Sequence, residues 1–238
     1  MNAGYFIAIV LVSGFVAGTI HGAVNLAIVE PYLDEAIGIE NQALFESGEA
    51  EDTPQFWVEY NAYRDWQKSG QLLAGGILGM SIGALFGIVF AYSRNSLPEG
   101  HTVKKTFVLA AIMWITIFLI PFLKYPANPP TVGDADTVVL RGILYLSFIA
   151  ISGFSAVGFS RLYKKLVTKK YLAVVGYAVF IITVFFIMPP SPDEVTAPMD
   201  LVNGFRVMSV MAVTTFWIAE AIILGLLWQK YKTKLQES

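Results

Sequence analysis

Residues 5–29 read YFIAIVLVSGFVAGTIHGAVNLAIV, a stretch without a formal charge. At about 1.5 Å rise per residue, such a run crosses a hydrocarbon core of about 30 Å as one helix. It is too long for the apolar region of a signal peptide. No basic segment precedes it and no convincing cleavage site follows, so it reads as a retained helix. Gly14, Gly18 and Gly22 recur in it every four residues, and Gly75, Gly79, Gly83 and Gly87 repeat the spacing in the next apolar run. Helices in lipid gain little from hydrophobic burial, so small residues matter because they let two backbones approach closely. The spacing predicts that these two helices cross tightly, against each other or against a partner subunit. Gly153 and Gly158 lie in a later run without that regularity.

The rest of the chain has the same character. Of 238 residues, 55% are hydrophobic and 14% charged, against about 25% charged in a soluble domain. Mean hydropathy is +0.60. A net charge of −2 provides no electrostatic footprint for nucleic acid. The absence of cysteine removes disulfides, iron–sulfur clusters, thiolate zinc sites and cysteine nucleophiles together. Six membrane spans are expected, at about 5–29, 71–93, 106–123, 142–160, 171–188 and 207–228. They make residues 1–238 a single all-α, polytopic transmembrane domain.

With a cytoplasmic N-terminus, the inner side holds Arg94, Lys104, Lys105, Arg161, Lys164, Lys165, Lys169, Lys170, Lys230, Lys232 and Lys234. The outer side holds Arg64, Lys68, Lys124, Arg141 and Arg206. Basic residues concentrate in cytoplasmic loops, so both termini are expected in the cytoplasm of a multi-pass protein of the cell membrane. Residues 30–70 then form a long acidic outer loop that attracts cations and repels anions, although an exported loop is often acidic with no further purpose. Within it, Thr53 and Pro54 read as the N-cap and first residue of a helix. Phe56, Trp57, Tyr60, Tyr63 and Trp66 follow, suited to an interfacial aromatic belt. Two proline-rich outer stretches, at 124–130 and from Pro189 to Pro192, favour extended backbone and act as rigid entrances or plain helix stops.

Two ionisable side chains fall well inside a span, His21 and Glu220. A charge near the bilayer centre costs at least about 2.5–3.5 kcal/mol on insertion scales, so such residues usually face the bundle interior and have partners. Asn25 stands one turn beyond His21 on the same helix face, then Glu30 at the membrane surface, then Asp34 and Glu35. Imidazole nitrogen with carboxylate and amide oxygens suits a divalent first-row ion. His21, Asn25, Glu30, Asp34, Glu35 and Glu220 are therefore the candidate metal residues. The alternatives are a hydrogen-bonded packing histidine at 21 and a structural acid at 220. Met80, Met113, Met208 and Met211 read as core fillers. No phosphate loop, Gly-x-Ser-x-Gly or His-Glu-x-x-His occurs, so neither an enzyme nor a permanently bound cofactor is expected.

The arrangement resembles the CbtA family of cobalt transporter subunits at three places. The first is Gly14-Phe15-Val16-Ala17-Gly18 through His21 to Glu30-Pro31 and Asp34-Glu35. The second is Pro121-Phe122-Leu123-Lys124-Tyr125-Pro126-Ala127-Asn128-Pro129-Pro130 followed by Arg141. The third is Pro189-Pro190 through Pro198, leading to Phe205-Arg206 and Phe216-Trp217. The resemblance implies a permease subunit that takes up cobalt for cobalamin synthesis. It would work beside a small single-span, histidine-rich CbtB-like partner, which would supply imidazoles this chain lacks; a homo-oligomer is compatible. A structural subunit of a membrane enzyme complex and a carrier for organic cations are the competing readings.

Overall fold

The computed structural model describes residues 2–130, 132–166 and 168–236. The regular elements among them are all helical: α1 (Ala3–Ile28), α2 (Glu30–Ser47), α3 (Pro54–Ser93), α4 (Thr102–Met113), a π-helical turn (Trp114–Leu119), α5 (Ile120–Lys124), a 3-10 turn (Ala135–Thr137), α6 (Val138–Lys165), α7 (Tyr171–Ile187), α8 (Met199–Lys230) and α9 (Lys232–Gln236). Among the described residues, five stretches are long and apolar enough to cross a membrane: Ala3–Ile28, Pro54–Ser93, Thr102–Lys124, Ala135–Lys165 and Met199–Lys230. The sixth expected span is the 17-residue apolar helix α7, about 26 Å long at 1.5 Å per residue. The chain is thus a helical membrane protein. Backbone contacts gather it into two compact units, one of Met1–Ala111, Pro129–Thr131 and Ala197–Ser238, the other of Ile112–Asn128 and Val132–Thr196.

In the first unit α1 runs antiparallel to α3, and glycine sets the distance between them. A Cβ on Gly75 would lie 2.6 Å from the Gly18 carbonyl oxygen, one on Gly22 2.8 Å from that of Gln71, and one on Gly83 2.7 Å from Gly14 Cα. These are backbone atoms that cannot step aside, so the expected glycine crossing forms between these two helices. Helix α8 also runs antiparallel to α1, and the short α9 beyond it is tied to the start of α1, where Asn2 N donates to Leu235 O at 3.0 Å. Phe86 and Phe90 of α3 meet Trp217 and Trp228 of α8 edge-on. Helix α4 reaches α8 where Gly225 leaves room beside Val103, and Thr106 Oγ1 donates to Ala221 O at 2.7 Å.

The long acidic connection is not a loop. Pro31 sits in the first turn of α2, and Thr53 caps α3 by accepting from Phe56 N at 3.2 Å. Gly48, at φ 76°, closes the turn between them. Helices α2 and the N-terminal half of α3 form an antiparallel hairpin in which Phe45 packs edge-on against Phe56 and Trp57. At 40 residues, α3 is about 60 Å long, twice the hydrocarbon thickness. One rod therefore carries both the second span and half of the expected loop.

In the second unit the π turn has a local cause. Ile120 N donates five residues back to Ile115 O, and Pro121 has no N–H to offer Thr116 O. That stranded carbonyl accepts instead from Ser152 Oγ of α6, which is also 2.8 Å from Tyr177 Oη of α7. The proline-rich stretches are non-helical and tied together. Tyr125 Oη donates to Pro189 O at 2.6 Å, and Thr137 Oγ1 donates to Asp193 Oδ1 at 2.7 Å. Arg141 Nε forms an ion pair with Asp193 Oδ2 at 2.7 Å without hydrogen-bond alignment.

Adding one methyl at Gly79 drives it into the backbone of Gly14 and Gly18, whereas a methyl at Gly38 meets nothing within 4 Å. Gly79→Ala is expected to cost about 1–3 kcal/mol of overpacking. Gly38→Ala should be neutral or stabilising by at most about 1 kcal/mol. Thermal unfolding of the two variants in detergent measures the contrast.

Candidate functional site

Close approach of α1 to two neighbours leaves a stripe of α1 facing them, and its polar residues all find partners there. Ser13, His21 and Asn25 are spaced by eight and four residues, which spreads them over about 120° on one side of α1, Ser13 and His21 towards α8 and Asn25 towards α3. From Ser13 to Asn25 the stripe rises about 18 Å. Ser13, fully buried, donates to Glu220 Oε1 of α8 at 3.1 Å, and its hydroxyl also lies 3.0 Å from Val10 O. Glu220 is fully buried too, and its Oε2 has no partner among the described residues. A Cβ at Gly83 would be 3.3 Å from Glu220 Oε1, so that glycine makes room for the carboxyl.

His21 Nδ1 lies 3.0 Å from Ala212 O of α8, and its ring stands edge-on to Phe216. A carbonyl only accepts, so Nδ1 carries the hydrogen; the neutral ring then has its lone pair on Nε2. Asn25 Nδ2 donates to Gln71 Oε1 at 3.2 Å. Gln71 Nε2 in turn donates to Glu30 Oε2, which links the stripe to the start of α2.

At that end the carboxylates meet cations from α3. Arg64 Nη2 donates to Glu30 Oε1 and, at 2.8 Å, to Asp34 Oδ1, while Lys68 Nζ donates to Asp34 Oδ2 at 2.7 Å. The Arg64 and Glu30 side chains are 7% and 4% exposed, a desolvated ion pair. Breaking such a pair costs far more than breaking a surface one. Arg64 Nη1 donates to Gln67 Oε1 at 2.7 Å, and Arg64 Nε is buried with no partner among the described residues. Burial pushes the Asp34 carboxyl up, but hydrogen bonds and charge from Lys68 and Arg64 outweigh it and hold the group below its ordinary 3.8. Burial likewise disfavours the Arg64 cation, and the paired acids outweigh it and raise the guanidinium.

Of the six candidate residues, Glu30 and Asp34 share one guanidinium, and Asn25 joins them through Gln71. His21 and Glu220 occupy separate points along the stripe, and Glu35 is exposed on α2. Among the described residues no three His, Asp or Glu side chains gather closely enough to hold a metal ion together. Ser13, Arg64, Lys68 and Gln71 were not among the candidates. A signal for the last three was present: 64, 68 and 71 continue towards the N-terminus the stripe occupied by Gly75, Gly79 and Gly83.

Because Asp34 titrates below its unfolded value, its stabilising contribution is complete above about 3.8 and is lost as pH falls through the lowered folded value. The stability lost in Asp34→Asn should therefore be constant near neutral pH and shrink towards zero in acid. Paired thermal melts of wild type and variant from pH 7 to pH 3 check this.

No curated protein and no solved structure matches the chain. A family model described as "Probable cobalt transporter subunit (CbtA)" matches residues 4–229. With nearly its whole length matched by that model, this helical membrane protein belongs to the CbtA family.

Proposed function

We propose that this chain passes a divalent transition-metal cation, cobalt, across the cell membrane along the α1 stripe, as one subunit of an uptake system. The observation that carries the reading is the succession of three polar groups along α1: the hydrogen-bonded network from Lys68, Asp34, Arg64 and Glu30 through Gln71 to Asn25, then His21 on Ala212 O, then the Ser13–Glu220 pair. Polar groups this deep between apolar helices are costly, and they commonly mark ion pathways. The hydrogen bond from His21 Nδ1 to a backbone carbonyl is the support that metal-ligating histidines commonly have, with Nε2 turned to the ion. The description of the family as a probable cobalt transporter subunit supports cobalt as the ion.

In this reading both termini are cytoplasmic and the acidic hairpin is external. Exposed Glu35 draws the cation from solution, Glu30 and Asp34 capture it, and His21 with Asn25 replaces part of its hydration shell. Glu220 acts deeper, as a relay or counter-charge. A histidine-rich CbtB-like partner completes the ligand set, because this chain's own candidates are spread along a helix. Inward movement gains about 2.3 kcal/mol per charge per 100 mV of membrane potential.

Cobalt accumulation in cells expressing the protein tests the proposal. His21→Ala, Glu30→Gln and Glu220→Gln should each lower uptake by about 10–100-fold, the range for lost ligands or their supports. Glu40→Gln, on the exposed side of α2, should leave it unchanged. Wild-type uptake in all three variants would remove the stripe from the pathway.

A further inference from the structure

The acidic end of the stripe is electrically closed. All four carboxylate oxygens of Glu30 and Asp34 have internal donors: Arg64 for Glu30 Oε1 and Asp34 Oδ1, Gln71 for Glu30 Oε2, and Lys68 for Asp34 Oδ2. Two negative charges face two positive ones, so the cluster is neutral as it stands. One nitrogen, Arg64 Nη2, lies between two carboxylates contributed by successive turns of α2. That is where a cation shared by Glu30 and Asp34 has to sit.

We infer that Arg64 is an internal substitute for the cargo: its guanidinium fills the cation's place between Glu30 and Asp34, and a divalent ion binds there by displacing it. This rests on the transport reading above. The exchange conserves charge, because one doubly charged ion replaces the pair Arg64 and Lys68 opposite the same two carboxylates. The side chains differ in how readily they leave. Lys68 is 34% exposed, so its flexible stem can turn its ammonium into water. Arg64 is buried, but its Nε lacks a partner there, so part of the guanidinium's hydrogen-bonding capacity is unmet in the closed arrangement and is recovered in water. The closed arrangement keeps the acidic end neutral and paired until an ion strong enough to replace both cations arrives. Arg64 is thus a positioning and gating residue, and contributes nothing as a ligand.

The test uses the purified full-length protein and its Arg64→Gln and Lys68→Gln variants. Cobalt binding is read by equilibrium dialysis and by the visible absorption of the ion, and cobalt entry is read in proteoliposomes. In Arg64→Gln the concentration for half-saturation should fall by about tenfold or more, because a like charge beside the ion is gone. Millimolar guanidinium should then compete with cobalt in Arg64→Gln, refilling the vacated place, and should not compete in wild type. Lys68→Gln retains the buried Arg64–Glu30 pair and should show a smaller fall; it decides the matter if Arg64→Gln does not fold. An unchanged or raised half-saturation value without guanidinium competition overturns the inference and leaves Arg64 as a staple of the hairpin. Should that occur while wild type still moves cobalt, transport stands and displacement fails. If Arg64→Gln gains guanidinium-sensitive binding but no protein moves cobalt, displacement stands and the transport reading fails.

Discussion

Backbone contact between α1 and α3 is the constraint on which the first unit depends. Side chains of ordinary size would hold the helices about 8–10 Å apart. With glycine at 14, 18, 22, 75, 79 and 83, carbonyls and Cα atoms of the two helices meet directly. Such contact fixes rotation as well as distance. Once the glycine stripe of α1 faces α3, the adjoining stripe with Ser13 and His21 faces α8. The partners of α1's polar residues on α8 and α3 follow from that rotation.

The same contact organises the charged end. The face of α3 that offers glycine to α1 offers Gln71, Lys68 and Arg64 beyond it, aligned with Glu30 and Asp34 at the start of α2. A buried ion pair is weak evidence of stability in itself, since desolvation offsets much of the attraction. Here it sits at one end of a line of hydrogen bonds leading between the helices, which is why charge exchange, and not stability alone, is the natural account of Arg64.

Much of this was legible in the sequence, and the gaps have identifiable causes. The glycine periodicity marks both helices as close-packing, though not that they pack on each other, and Thr53-Pro54 marks the start of α3. Helix α2 is harder to see, because the dense acids of residues 30–70 suggest a loop, although Pro31 in a first turn is a helix-start mark. In the sequence Arg64 and Lys68 are only two charges on the outer side; their pairing with Glu30 and Asp34 depends on the register of α3 against α2. Ser13 is a small hydroxyl among apolar neighbours, and nothing local assigns Glu220 to it. The π turn in Trp114–Leu119 is equally silent, since its cause lies in Pro121 downstream and Ser152 on another helix. Periodicity shows which face is used; it does not show which distant residue waits opposite.

A side chain at residue 83 would press on the carboxyl of Glu220, with its Cβ 3.3 Å from Oε1, as well as on the backbone of Gly14. Positions 83 and 220 therefore form one unit of sequence choice, although they stand on different helices. A relative with alanine at 83 should carry a shorter side chain at 220, and a relative without an acid at 220 loses one reason to keep glycine opposite. Covariation between these two columns would mark how long the buried acid has been maintained within the lineage.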